Sequence, residues 1–241
     1  MQLATDPFEF TYHGIDILFG RDRAGKIGDV LAERDLDRAL IVCGSNVGAN
    51  DDLMGPIETG LGDRLTGTFD ETTPAKRVET AYDGIERMRE VDADVLVGVG
   101  GGSSLDIARQ MSALAADGRS QAEIKSAANE GTLSGLDFSE PAVPVVVVPT
   151  TFAGADVSTG GSLVVLPAEE SPTGQPITIS GSVPPIANVA DPAAVETTPL
   201  SALEGSAMNG FDKGIETLYA RDGDPFSDAA AIHGLRYLFD A

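Results

Sequence analysis

Three observations in this 241-residue sequence predict an α/β fold, a Rossmann-like parallel sheet followed by the start of an all-helical region. Short, nearly continuous apolar runs recur at Ala39–Val42, Asp94–Val99 and Pro144–Val148, the pattern of strands covered on both faces. Segments of helical spacing separate them, the alternation that builds parallel sheets. After a stretch rich in Gly, Pro, Ser and Thr (151–190), the spacing beyond Asp191-Pro192 is helical. The predicted division is an α/β domain over 1–190 and the beginning of a helical domain over 191–241.

In chain order, Phe8 to Phe19 alternates apolar and polar residues around Gly14-Ile15, predicting an edge β-hairpin. A short helix near Ala24–Arg34 precedes the strand Ala39–Val42, and a helix near Asp52–Leu61 leads to a strand at Leu65–Phe69. Mixed charges at helical spacing mark Ala75–Glu90. Beyond the strand Asp94–Val99, the helix Ser104–Ala116 places Leu105, Ala108, Met111 and Ala115 on one face. Residues 117–140 are polar with one weak helix, and lead to Pro144–Val148. Leu163–Leu166 and Ile177–Ile179 read as short strands, Leu200 as a turn, and Ala202–Ala220 and Pro225 onward as helices.

Asp and Glu number 38 against 16 Lys and Arg, a formal charge of −22. The acids are dispersed rather than gathered in a tail, which speaks for a solvated surface and against disorder. Such a surface suits a halophilic, salt-accumulating cell, where the Debye length falls to about 3 Å at 1 M. The same charge excludes nucleic acid as a partner, because that requires basic phosphate contacts. No apolar run approaches the ~20 residues of a membrane span, and Met1–Phe10 has neither a basic start nor an apolar core. Neither a membrane partner nor a signal peptide is expected. The single cysteine, Cys43, closes the run Ala39–Cys43 and reads as a buried small hydrophobe in a reducing cytoplasm.

The strand Val95–Val99 runs into Gly100-Gly101-Gly102-Ser103 and then a helix. Glycines allow a tight turn and close backbone approach to a diphosphate, and the helix N-terminus offers free N–H groups with partial positive charge. Ser103 is placed to cap that helix or to bond a phosphate oxygen. A plain strand-to-helix turn has the same outline, but three successive glycines in this context favour phosphate.

The string Gly100-Gly101-Gly102-Ser103-Ser104-Leu105-Asp106-Ile107-Ala108-Arg109 resembles the GGGSxxDxAK signature of group III, iron-containing-type alcohol dehydrogenases, with Arg109 where lysine is usual. Val148-Pro149-Thr150-Thr151-Phe152-Ala153-Gly154-Ala155-Asp156 is similar to the PTT segment of that family, nearest to the PTTYAGSE form of maleylacetate reductase-like members. The resemblance, which runs from Phe19 to Asp228, implies NAD(P) binding by the glycine loop, Asp106, Thr150 and Thr151. NAD-specific members carry an aspartate after the second strand. Here Gly44 and Ser45 stand there, leaving a 2′-phosphate unrepelled and favouring NADP over NAD. The family's asparagine before proline corresponds to Thr73.

The family's metal is held by an aspartate, a histidine four residues later, and two further histidines. Ser206 to Asp222 aligns to the family string SGxDAxxHAxEALYARD with Asn209 at the aspartate and Lys213 at the histidine. A neutral amide is a poor ligand and a charged ammonium is none, so a divalent metal is not expected. Instead, Lys213 is expected to stand where the metal would be, polarising a carbonyl or, with a depressed pKa, giving up a proton, with Asn209 beside it. The plainer reading is a solvated lysine paired with Glu216. A register shifted by three offers Asp212 and Glu216 as a carboxylate pair for a hard cation, but breaks the match over Glu216–Asp222. By the same resemblance the remaining histidine ligands would lie beyond residue 241, as though the chain stopped within its helical domain. The expected function is an NAD(P)-dependent oxidoreductase interconverting a small alcohol and its carbonyl, the alternative being a non-catalytic dinucleotide-binding domain. An edge hairpin able to pair across a two-fold axis suggests a homodimer.

Overall fold

A computed structural model describes residues 7–240; expectations drawn from Met1–Asp6 lie outside these residues. The hairpin forms as expected: β1 (Phe8–Tyr12) pairs antiparallel with β2 (Ile15–Phe19). The turn residues His13 and Gly14 both have positive φ (49° and 81°), the geometry that matches strand twist in a two-residue turn. Next come α1 (Ile27–Ala32), β3 (Ala39–Val42), α2 (Ser45–Gly48), α3 (Asp51–Leu61), β4 (Leu65–Phe69), α4 (Val78–Glu90) and β5 (Val95–Gly100). These are followed by α5 (Gly102–Asp117), α6 (Gln121–Asn129), β6 (Val145–Pro149), β7 (Gly161–Leu166), β8 (Ile177–Gly181) and β9 (Ala187–Ala190). Three helices close the described chain: α7 (Pro192–Glu196), α8 (Leu200–Leu218) and α9 (Pro225–Asp240).

Seven strands form one sheet in the order β1-β2-β9-β6-β5-β3-β4, parallel except for the β1–β2 pair. Side chains alternate between its faces. Leu40, Val42, Leu96, Val145 and Val147 pack with α4, α5 and α6 in one core cluster. Ile41, Val97, Val99, Val146 and Val148 pack with α1 and α3 in the other. The second layer is tight: a Cβ at Gly28 would lie 2.0 Å from the Gly60 carbonyl oxygen, so α1 and α3 touch through bare backbone.

Three elements depart from the expected pattern. β9 was read only as part of a Gly/Pro/Ser/Thr-rich stretch, yet it fills the gap between β2 and β6. Its four residues, Ala-Asn-Val-Ala, are too short and too polar to signal a buried strand. α5 is buried on nearly every side because the β7–β8 hairpin covers the flank away from the sheet, while Ala115 stays half-buried. The turn expected at Leu200 is the first residue of α8.

Candidate dinucleotide site

Strand order decides where a ligand can enter. From β3 the chain goes to β4 on one side, then returns to lay β5, β6 and β9 on the other. The loops leaving the carboxyl ends of β3 and β5 therefore diverge, opening the crevice in which doubly wound sheets hold ligands. Gly44 and α2 form one lip and Gly100–Ser103 the other; a Cβ on Gly100 would lie 3.5 Å from Val47 Cγ2. Gly100 has φ +129°, a conformation that glycine tolerates and side chains resist. Gly101 is the N-cap of α5 and makes no side-chain cap bond; the Ser104 N–H donates to the Gly101 carbonyl (3.1 Å), which leaves the N–H groups of Gly102 and Ser103 without a capping side chain. Ser103 lies within that first turn and does not cap the helix, which corrects one of its two expected roles. Thr151 closes the cradle from β6, its Cγ2 3.4 Å from where a Gly101 Cβ would be.

The other expected contacts divide. Thr150 is 3% exposed; its N–H donates to Gly100 O (3.0 Å) and its carbonyl accepts from Thr198 Oγ1 (2.9 Å). It is a strut holding the two loops together. Thr73 is exposed, whereas its neighbour Thr72 is buried and shares a hydrogen bond with Ser104 Oγ at 2.7 Å. Thr72 was not singled out in the sequence, where nothing distinguishes two adjacent threonines until the loop's path is known. Asp106 has both oxygens occupied, by Lys76 Nζ (3.0 Å) and by the fully buried Arg109, which also donates to the Ser158 carbonyl. Its carboxylate ties the entry to β7 onto α5, and it borders an open, hydroxyl-lined cleft of about 920 Å³ with Gly160–Ser162.

Gly44 and Ser45 lie where a ribose-binding carboxylate is missing from the chain order, but the fold brings the segment after β4 against them. Glu71 forms an isolated bridge with Gly44, and Asp70 Oδ2 would be 3.5 Å from a Cβ on Gly48. The Asp70 carboxylate beside α2 is thus an acid near this lip that Gly44 and Ser45 alone do not reveal.

On α8, Asn209 Nδ2 donates to the Ala153 carbonyl at 3.3 Å, bringing the helix against the Thr151–Gly154 loop. Lys213 is exposed and its Nζ donates to Glu216 Oε2 at 2.5 Å. That hydrogen bond, with the Glu216 and Asp212 charges, raises the lysine pKa. The expectation of a depressed pKa and a proton-donating Lys213 is therefore corrected: the group is solvated and paired, and stays charged. In the shifted register Glu216 is paired with Lys213, and no third His, Cys, Asp or Glu joins it and Asp212 among the described residues. Among the described residues, no three His, Cys, Asp or Glu side chains come together as metal ligands. His13 sits in the hairpin turn and His233 packs edge-on against Tyr237, 4.8 Å between ring centres. The donor set around Asn209 and Lys213, a neutral amide and a charged ammonium, does not suit a divalent metal.

A sequence profile of the iron-containing alcohol dehydrogenase family matches residues 15–181. The chain is 26% identical to maleylacetate reductase 1 of Cupriavidus pinatubonensis over 97% of its own length and 56% of that protein's. It is 25% identical to the NAD-dependent methanol dehydrogenase of Bacillus methanolicus, covering 92% of this chain and 55% of the other. The chain thus spans little more than half the length of these relatives. The crystal structure of sulfoacetaldehyde reductase from Bifidobacterium kashiwanohense in complex with NAD+ shares the fold at a TM-score of 0.79 and 20% identity, over 99% of this chain and 59% of that one. The glycine loop at the strand switch point, the Thr150-Thr151 segment and the profile match agree: this chain belongs to the iron-containing alcohol dehydrogenase family.

Proposed function

We propose that the chain forms the dinucleotide-binding part of an NAD-dependent oxidoreductase that interconverts a small alcohol and its carbonyl compound. The observation that carries this reading is the uncapped N-terminus of α5 behind the positive-φ Gly100, facing Thr151 across the switch-point crevice. Backbone N–H groups of the loop and first turn would hold the pyrophosphate, and the helix dipole would favour its charge. The cofactor supplies the hydride chemistry; the residues of the chain bind it, orient it and exclude water. In this reading NAD is preferred to NADP because the Asp70 carboxylate lies beside α2 at the Gly44 lip, where it would repel a 2′-phosphate. Lys213 enters only as an ammonium, its pKa raised by Glu216, able to polarise a carbonyl, and Asn209 as the anchor of α8 on the Ala153 carbonyl. A homodimer joined through β1 is part of the same reading, since β1 is an edge strand of the sheet among the described residues. No described helix is long and apolar enough to cross a membrane.

NADH fluorescence titration of the chain and of a Gly101→Val variant tests the reading. Gly101 has φ −77° and ψ 177°, which valine adopts without strain, so the variant should fold and lose at least tenfold in affinity by filling the cradle. Equal binding by both proteins, or none by the parent at millimolar NADH, would overturn it. Turnover of aldehydes with NADH then separates an enzyme from a binding domain, and an unchanged rate for Lys213→Ala would remove that residue from the chemistry.

A further inference from the structure

A second cleft, of about 640 Å³, opens at the carboxyl ends of β2, β6 and β9. Phe19, Phe152, Val157, Val195 and Leu203 are among its walls, and no Lys, Arg or His lines it. Three carboxylates reach it, and two of them are committed elsewhere. Asp191 is 2% exposed and accepts the N–H groups of Asp22, Ala24 and Ala193. Glu196 is held by Arg21 through two hydrogen bonds of 2.8 and 2.6 Å. Asp156 differs. Its Oδ2 accepts from Asn188 Nδ2 at 2.7 Å, while its Oδ1 has no hydrogen-bond partner among the described residues, and no cation stands beside it. Asn188 is 1% exposed and its own Oδ1 is buried without a partner. A buried amide is thus spent on orienting one carboxylate, an arrangement that costs stability. A mostly apolar cleft in which one oriented carboxylate keeps an open oxygen has the composition of a small-molecule site.

We infer that this cleft binds a small apolar molecule whose head group donates a hydrogen bond to Asp156, an alcohol or a protonated amine, and that it excludes carboxylates. An ionised carboxylate is acceptor-only, so a donating head group satisfies the open Oδ1 and an anionic one meets a like charge in half-dry surroundings. Thr151 lines this cleft and also abuts Gly101, so the cleft adjoins the cofactor cradle. Naming the ligand as the enzyme's own alcohol rests on the proposed oxidoreductase function; the preference for donors over anions does not.

Three probes sharing one ring separate the head groups: benzyl alcohol, benzylamine and benzoate, followed by methyl NMR of Val157 and Leu203 in the whole chain without cofactor. The alcohol and the amine should shift both residues, with benzoate at least tenfold weaker. Asp156→Asn keeps the shape and removes the charge, and should bring benzoate to within about threefold of the alcohol. Benzoate binding the parent as well as the alcohol, no probe shifting those methyls, or an unchanged order in Asp156→Asn would each overturn the inference. Probe binding alongside a failed NADH titration would instead refute the proposed function and leave this site standing.

Discussion

Replacing Arg109 by methionine tests what holds the β7–β8 hairpin against α5, beside the glycine loop. Arg109 is fully buried; its guanidinium donates to Asp106 and to the Ser158 carbonyl. Methionine keeps most of the apolar stem, so the loss falls on the polar head. Stranding one member of a buried ion pair costs about 3–5 kcal/mol. Here Asp106 keeps Lys76 Nζ at 3.0 Å and is 15% exposed, which reduces that penalty. A lost charge-assisted bond of about 1.5–3 kcal/mol and an unsatisfied carbonyl of about 1–3 kcal/mol overlap in the same event, and about 2–4 kcal/mol is expected in total. For a chain of this size about 2–4 °C accompany each kcal/mol, so Tm should fall by about 4–16 °C in far-UV circular dichroism melts. Arg109→Lys, which keeps the charge but loses the fork, should fall about half as far. Adding Asp106→Leu to the methionine variant should recover part of the loss, because Lys76 is 29% exposed and can turn to water. A methionine variant that melts with the parent would refute the assignment of Arg109 as the clamp.

Three further outcomes follow from local electrostatics. Burial pushes the Glu79 carboxyl up, but hydrogen bonds from Arg77 and Lys125 outweigh it and hold the group at about 2, below its usual 4.5. Its contribution is therefore present above about pH 4.5 and lost as pH falls toward 2; the urea midpoint should drop across that window, and less so in Glu79→Gln. Burial, with the Asp70 and Glu58 charges, pushes the Cys43 thiol up to about 12, so a thiol reagent at pH 8 should modify it only after unfolding in urea. Asp70→Asn combined with Glu71→Gln should shift the ratio of NADP to NAD affinity at least fivefold toward NADP in fluorescence titrations; an unchanged ratio would mean these acids do not reach the ribose.

What could be read from the sequence was whatever local patterning decides. Continuous apolar runs located β3, β5 and β6 to within a residue or so, because strands buried on both faces leave no alternation to misjudge. The cradle was legible for a related reason: strand, glycines and helix are consecutive in the chain. The rest depends on register between distant segments. Asp70 and Glu71 follow β4 and come to the Gly44 lip only through the β3–β4 pairing. β9 is a strand because the space between β2 and β6 accepts Ala187 and Val189, not because four such residues favour extension. Lys213 was read by analogy with a ligand position, while the nearer partner, Glu216 on the same helix face, decides its state.

The charge of −22 has a thermodynamic consequence that the structure makes testable. The cations are largely consumed in local pairs, such as Arg21–Glu196, with side chains 58% and 60% exposed, and Arg87–Glu90, at 41% and 65%. Exposed pairs of this kind contribute about 0–1 kcal/mol each, and salt weakens them. The excess acids face one another across a surface where the Debye length shrinks from about 10 Å at 0.1 M salt to about 3 Å at 1 M. Relief of their mutual repulsion should outweigh the weakened pairs, because unfolding is what otherwise lets like charges separate. Tm should therefore rise with potassium chloride over that range and level off near its upper end, as screening does, whereas preferential exclusion of a salt such as sulfate keeps strengthening burial. Reversing the exposed Glu58, Asp63, Asp83 and Glu86 to lysine lowers the charge excess by eight and should flatten the curve at its low-salt end. If the parent's Tm were flat or falling with chloride, or if the reversed variant kept the full slope, the surface acids would not be what sets its salt response.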